Sequence, residues 1–225
     1  DLGLPHPVHL HAGRLGSPGN YASFLETVRA LDGQCAHLCH IQFYAYGADT
    51  LGGYTSAAEQ VVRVLEQYPR LTFDVGQVIF GSALAVSADT SGLDGLRRQL
   101  RLPWISRQLE GEGGTSALPL TYLARDPASA VQWATGLELL LRFPHPERMF
   151  LTSDHPNGGP FSAYPQVIHW LMSRSARREA LSRVHPAARR KTGLEGLERE
   201  YTLGEVFAMT SWGPAQALGL TDRGH

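Results

Sequence analysis

Four short apolar runs, each followed by helix-forming sequence, constrain this chain more than any other feature. Pro7 to Leu10, Ala36 to Phe43, Leu71 to Val75 and Met149 to Thr152 read as strands bounded by Gly, Asp and Pro. After the first, Tyr21 to Leu31 sets Phe24, Leu25, Val28 and Leu31 at helical spacing and stops at Asp32 and Gly33. After the second, a Gly-rich loop runs through Gly53, and a helix opening at Ser56 presents Val61, Val62, Val64 and Leu65 and ends before Pro69. Asp126 and Pro127 start a helix that runs through Leu141. The fourth strand is followed by helical segments at Tyr164 to Met172, Arg174 to Lys191 and Leu203 to Met209, and by a short helix closed at Gly219. Parallel strands must return by a crossover, so this order predicts an α/β chain of parallel β/α units. A complete (β/α)8 barrel takes eight strands and typically ~250 residues. Four strands supply the second half of such a barrel, or else a small open sheet.

The rest of the composition sets bounds. Of 225 residues 43% are hydrophobic, and 20 basic side chains face 21 acidic ones, a globular balance that offers nothing to nucleic acid or an anionic membrane. The longest apolar runs, such as Leu137 to Leu141, are too short to cross a bilayer, and the chain reads as soluble and cytoplasmic. Cys35 and Cys39 form neither a disulfide framework nor a zinc knuckle and read as buried thiols. From Gly81 to about Tyr122 the periodicity is poor, which predicts an inserted surface excursion. Residues 1–200 are thus expected to form the partial barrel with its excursion around 81–122, and residues 201–225 a helical return. Lys191 is the only lysine among the 20 basic residues, so buried-lysine chemistry must use it or a residue outside this chain.

Reactive side chains of parallel α/β folds gather where strands end. His11 follows the first strand, His40 ends the second and Asp154 follows the fourth. Neutral imidazole and carboxylate are ordinary zinc donors, and three of them leave a position for water, whose pKa zinc brings to ~7. Asp154 is suited both to ligate and to move a proton. A single strand histidine is ordinarily a hydrogen-bonded core residue, and it is the coincidence of three ligand types at strand ends that carries the metal reading. His9 shares a strand face with His11. His37 faces away from His40 by strand parity and reads as packing, and His145, His169 and His185 as surface or capping residues. His9 and His11 as the histidine pair that opens a hydrolase barrel fail on counting, because only two strands separate theirs from that of Asp154. Gln42, Gln77, His155 and Asn157 lie beside the ligands and could orient an amide or equally brace the βα loops. The run Asn157, Gly158, Gly159 matches no phosphate-binding fingerprint.

Five runs, in order and spanning nearly the whole chain, carry a family resemblance: HLHAGRLGSPGN (9–20), HLCHIQFYAYG (37–47), FDVGQVIFG (73–81), LTSDHPNGGPF (151–161) and YTLGEVFAMTSWGP (201–214). Together they resemble the A subunit of formylmethanofuran dehydrogenase and its bacterial counterpart, the A subunit of the formyltransferase/hydrolase complex, both of the amidohydrolase superfamily. The resemblance implies a distorted (β/α)8 barrel with two zinc ions, held by paired histidines on the first strand, a carboxylated lysine on the fourth, histidines on the fifth and sixth and an aspartate on the eighth. By motif position His11 is the fifth-strand histidine, His40 the sixth-strand one and Asp154 the eighth-strand aspartate. The first pair and the bridging lysine have no counterpart here, so the chain is expected to be a fragment that lacks the first strands and most of the small β domain and is inactive alone. Ala12, Gly13 and Arg14 depart from the family pattern, which touches substrate contacts near Arg14 and not the metal ligand. The implied reaction is hydrolysis of an N-formylated methanofuran-type carrier to formate and free amine, in one-carbon metabolism, with Asp154 passing a proton to the leaving amine. The arginine skew fits the bacterial, methylotrophic version, and further subunits are the implied partners. Arg97, Arg98, Arg101 and Arg107 would suit the carrier's glutamyl chain, or form a solvated basic face. The rival expectation is a degenerate, non-catalytic barrel serving as a scaffold subunit.

Overall fold

The computed structural model describes residues 6–87, 97–98 and 116–224. In chain order its elements are β1 (Val8–Leu10), α1 (Tyr21–Ala30), β2 (Ala36–Leu38), β3 (Tyr46–Ala48), β4 (Tyr54–Ser56), α2 (Ala58–Leu65), β5 (Leu71–Asp74), β6 (Gly81–Ser87), β7 (Ser116–Tyr122), α3 (Pro127–Arg142) and β8 (Met149–Phe150). The chain continues through α4 (Tyr164–Met172), α5 (Arg174–Arg183), α6 (Ala187–Lys191), α7 (Leu203–Phe207) and α8 (Gly213–Ala217). One sheet runs β1-β2-β5-β8, every pair parallel, so the β/α order read from sequence stands.

Register gives this sheet two unlike faces. Ala36, Leu38, Leu71, Phe73 and Met149 point into the apolar core under the helices. On the opposite face His9 pairs with His37 and His37 with Thr72, while Asp74 pairs with Phe150. Helix α3 anchors the core: Asp126 caps it by accepting from Ser129 N at 2.7 Å, Pro127 opens it, and the helix is buried from Ser129 to Leu141. It packs against α2, α6 and β4.

Several local expectations need correction. The second strand stops at Leu38, because His40 turns left-handed (φ 38°) and Ile41–Tyr44 closes a 3-10 turn. The Gly-rich loop is an antiparallel hairpin of β3 and β4, whose turn is fixed by Asp49 Oδ1 accepting from Leu51 N and Gly53 N. The excursion begins and ends as an antiparallel ribbon of β6 and β7. Arg101 and Arg107 lie outside the described residues, as does most of the segment between the ribbon strands. The segment Arg174 to Lys191 is two helices, since Pro186 cannot continue the first. Cys35 is exposed, because it precedes β2 at the sheet margin, and Cys39 alone is buried. The C-terminal return is bound to the core: Tyr201 OH donates to Leu140 O at 2.5 Å, and Leu151 N donates to Met209 O beside β8. Among the described residues no helix is long and apolar enough to cross a membrane.

Candidate metal centre

The C-terminal ends of the parallel strands bring His11, His37, His40, Asp74 and Asp154 together. His11 lies just past β1, and its Nδ1 faces His40 Nε2 at 2.8 Å. His40 reaches that point through its left-handed backbone, a conformation that costs a non-glycine residue on the order of 1 kcal/mol. Gly76 (φ 69°) makes the room, since a Cβ there would run into the His40 Cβ. Asp154 is left-handed too (φ 46°) and sets Oδ1 3.4 Å from His40 Nδ1. Its Oδ2 accepts from Asn157 Nδ2 at 2.5 Å, while Asn157 Oδ1 accepts from Val86 N of β6 at 2.6 Å. His11 and Asp154 thus flank the His40 ring, one at each of its nitrogens, so the three residues expected from sequence are neighbours.

The structure also adds two groups. Asp74, a carboxylate at the end of the third strand that the sequence reading passes over, pairs Oδ2 with His37 Nε2 at 3.1 Å and accepts from Thr152 Oγ1 at 2.5 Å. Its Oδ1 is 3.9 Å from His40 Nδ1. Parity predicts that His37 faces away from His40, but parity ends where the strand does, and both rings reach Asp74. The packing reading of His37 survives in part, for its ring stacks on Phe150 with centroids 5.5 Å apart. His145 and His169 are exposed, and His185 Nδ1 accepts from Ala187 N at the start of α6.

Electrostatics favour ligation. Burial lowers the pKa of His11 and of His40, keeping both rings in the neutral form that offers a lone pair. Burial pushes Asp154 up to about 6, against the opposing hydrogen bond from Asn157. For Asp74 burial works against the charge, yet the His37 hydrogen bond, His40 and the Thr152 hydroxyl outweigh it and hold the carboxyl below the ordinary range. Two neutral imidazoles and a carboxylate are a donor set that suits zinc, and tetrahedral bonds of ~2.0–2.1 Å would set two nitrogens ~3.3 Å apart, wider than the 2.8 Å His11–His40 hydrogen bond. Among the described residues it is His9, His37 and Cys39, and not His11, His40 and Asp154, whose potential ligand atoms all lie within 4.8 Å of one another. Both His37 nitrogens are already engaged, with Thr72 and Asp74, and burial pushes the Cys39 thiol up to about 12, so this group is the poorer donor set.

The polar neighbours divide. Gln42 and Gln77 are fully buried: Gln42 Nε2 donates to Gln132 O and its Oε1 accepts from Val78 N, while Gln77 Nε2 donates to Trp133 O. They brace the strand-end loops against α3 and do not face the ligands. His155 is exposed with its ring against Phe161, and Asn157 holds Asp154. A cavity of about 770 Å³ lies away from the ligands, lined by Val8, Arg70, Arg148 and Trp212.

A profile of the amidohydrolase family matches residues 2–225. The Fhc A subunit of the formyltransferase/hydrolase complex of Methylorubrum extorquens is 42% identical over 231 residues, which cover 100% of this chain and 42% of that protein. Protein FwdA of Methanocaldococcus jannaschii is 35% identical over 237 residues, with the same 100% and 42% coverage. Among solved structures, the formyltransferase/hydrolase complex FhcABCD from Methylorubrum extorquens in complex with methylofuran contains a chain that aligns with a TM-score of 0.91 at 41% identity, covering 98% of this chain and 41% of that one. The chain thus spans about two-fifths of the length of these relatives.

Proposed function

This chain belongs to the amidohydrolase family, and on that basis we propose that it is the second half of a zinc-dependent formyl-amide hydrolase subunit. The substrate is the N-formyl form of a methanofuran- or methylofuran-type carrier, and the products are formate and the free amine. The same reading places the protein in a cytoplasmic complex with further subunits, takes residues 1–200 as half of the barrel with its excursion at 81–122, and takes residues 201–225 as the return toward the small β domain. One observation carries it: at three strand ends His11 Nδ1 lies 2.8 Å from His40 Nε2, and the Asp154 carboxylate lies 3.4 Å from the other nitrogen of that ring, His40 Nδ1.

Zinc bound there supplies Lewis-acid polarisation of the formyl carbonyl and hydroxide near neutral pH. The chain's own residues do the rest. His11 and His40 present neutral nitrogens. Asp154 is held at one oxygen by Asn157, which fixes the carboxylate that accepts a proton from the attacking water and passes it to the departing amine nitrogen. Water adds across the C–N bond, so formate and amine account for every atom. Asn157 and the exposed His155 remain the candidates to touch the carrier. Lys191 pairs with Asp49 at 2.6 Å, so on this reading the bridging lysine, like the first-strand histidine pair that the resemblance implies, would lie outside these 225 residues.

Two measurements on the full-length protein test the proposal. Elemental analysis should find near two zinc per full-length polypeptide and little on this 225-residue chain alone. Asp154→Asn should retain metal and lose formate release. Full turnover in that variant, or a full-length protein without zinc, overturns the proposal; the second result makes the chain part of a scaffold subunit.

A further inference from the structure

We propose that Asp74 and Thr152 form a clamp that sets the spacing of His40 and Asp154 at the candidate metal site. The inference rests on the reading of the strand ends given above. Thr152 Oγ1 makes two bonds at once, donating to Asp74 Oδ1 at 2.5 Å and accepting from Gly76 N at 2.8 Å. Asp74 is the last residue of β5, and Thr152 lies two residues before Asp154, so one hydroxyl ties the loop after β5 to the segment that delivers the candidate proton carrier. Backbone bonds extend the tie: Val75 N donates to Phe150 O at 3.1 Å and Gln77 N to Thr152 O at 2.7 Å.

Gly76 transmits the tie to His40. The glycine lies against the His40 Cβ, where no side chain of its own would fit. Any outward shift of Gly76 N, once the Thr152 hydroxyl is lost, frees the ring of His40 to move. Asp74 contributes orientation as well. Its Oδ1 lies on the Nδ1 side of the His40 ring, while Nε2 faces His11. Asp154 Oδ1 stands on the same side and nearer, at 3.4 Å against 3.9 Å, so the clamp holds the two carboxylates together along one edge of the His40 ring. His37 Nε2 holds the other Asp74 oxygen in place at 3.1 Å. Asp74 and Thr152 are therefore positioning residues, since neither needs to touch substrate.

The test uses the full-length protein in its complex, with wild type, Asp74→Asn, Thr152→Val and Thr152→Ser. Zinc affinity is measured by chelator competition, ligand geometry by the visible absorption of the cobalt(II)-substituted protein, and turnover by formate release. Thr152→Val keeps the shape of threonine, so it stays folded while losing the hydroxyl. The expected result is zinc affinity and kcat each lowered about 10–100-fold in Thr152→Val and Asp74→Asn, as for loss of outer-shell partners elsewhere. KM should hold within about twofold and the cobalt spectrum should shift, with Thr152→Ser restoring both spectrum and kcat. Wild-type spectrum and zinc affinity in Thr152→Val overturn the clamp, even where the melting temperature falls. Failure of Thr152→Ser to restore the spectrum overturns it too. A wild-type complex without zinc or formate release overturns the functional proposal instead, so the two failures are distinguishable.

Discussion

Replacing Gly158 by alanine puts a methyl group where three backbone carbonyls already stand. The new Cβ would lie 2.6 Å from Gln77 O, 2.6 Å from Ser153 O and 3.0 Å from Gly76 O. Ordinary carbon–oxygen contacts are ~3.3 Å or longer, so two of the carbonyls must retreat by roughly 0.7 Å. None can do so by turning a side chain. The segments are held by Ile79 N donating to Gly158 O at 2.7 Å and by Gly158 N donating to Ser153 O at 2.8 Å. Overpacking of this kind costs ~1–3 kcal/mol, and opening one buried hydrogen bond adds ~1–3 kcal/mol. The stiffer unfolded chain returns ~0.4–1 kcal/mol. The net is about 1–5 kcal/mol, centred near 3, which for a unit of this size lowers Tm by roughly 2–20 °C. Because the displaced loop carries Asp154 and its neighbour carries Gly76, zinc content of the full-length protein should fall along with stability. Thermal unfolding followed by circular dichroism, beside elemental analysis, measures both. Gly13→Ala is the control, since its Cβ would meet nothing within 4 Å and should leave Tm unchanged or slightly raised. A Gly158→Ala protein that melts within about a degree of wild type would refute the reasoning.

Other perturbations separate scaffold from site. Arg177 is 1% exposed and donates to Trp170 O, Leu171 O, Leu197 O and Arg199 O, so Arg177→Met should destabilise by ~3 kcal/mol or more through the stranded carbonyls, measured by urea unfolding. Asp126→Ala removes the cap of the buried helix α3 and should cost ~1 kcal/mol, read as a small Tm decrease without loss of zinc. Glu205 is held below its ordinary 4.5 by the Thr202 backbone amide first and then by Arg199. Its folded-state pKa is depressed, so its contribution is present above about pH 4.5 and disappears as pH falls through the folded value; Glu205→Gln should flatten that part of the stability–pH curve and leave the neutral-pH zinc content alone.

What can be read from sequence follows from periodicity and from the chemistry of strand ends. The parallel β/α order and the Asp126–Pro127 helix start are legible because each rests on a local rule, and a rule of the same kind picks out His11, His40 and Asp154 as neighbours at strand ends. The rest depends on features that such rules do not see. The hairpin at 46–56 has strands of three residues, too short for alternation to register. Gln42 and Gln77 stand beside ligands in sequence, yet α3, some 90 and 56 residues further on, claims their amides. Asp74 escapes a search that starts from histidines, although the rule that finds Asp154 applies to it equally. His37 is misplaced when alternation is carried past Leu38 into residues that are no longer strand.

The early end of β2 exposes what sets the geometry of the centre. His40 and Asp154 both leave their strands in a left-handed conformation, which a non-glycine residue does not take up unaided. Each is held there by a neighbour with no reactive chemistry of its own: His40 by the bare face of Gly76, and the loop of Asp154 by Gly158 wedged among three carbonyls. The hydroxyl of Thr152 then joins the two arrangements through Gly76 N and Asp74. On the proposed reading ligand identity would decide which metal binds, while in a pair of strained turns ligand position would belong to the glycines and to that hydroxyl. Their substitution should therefore degrade metal affinity more than the loss of an ordinary surface contact would.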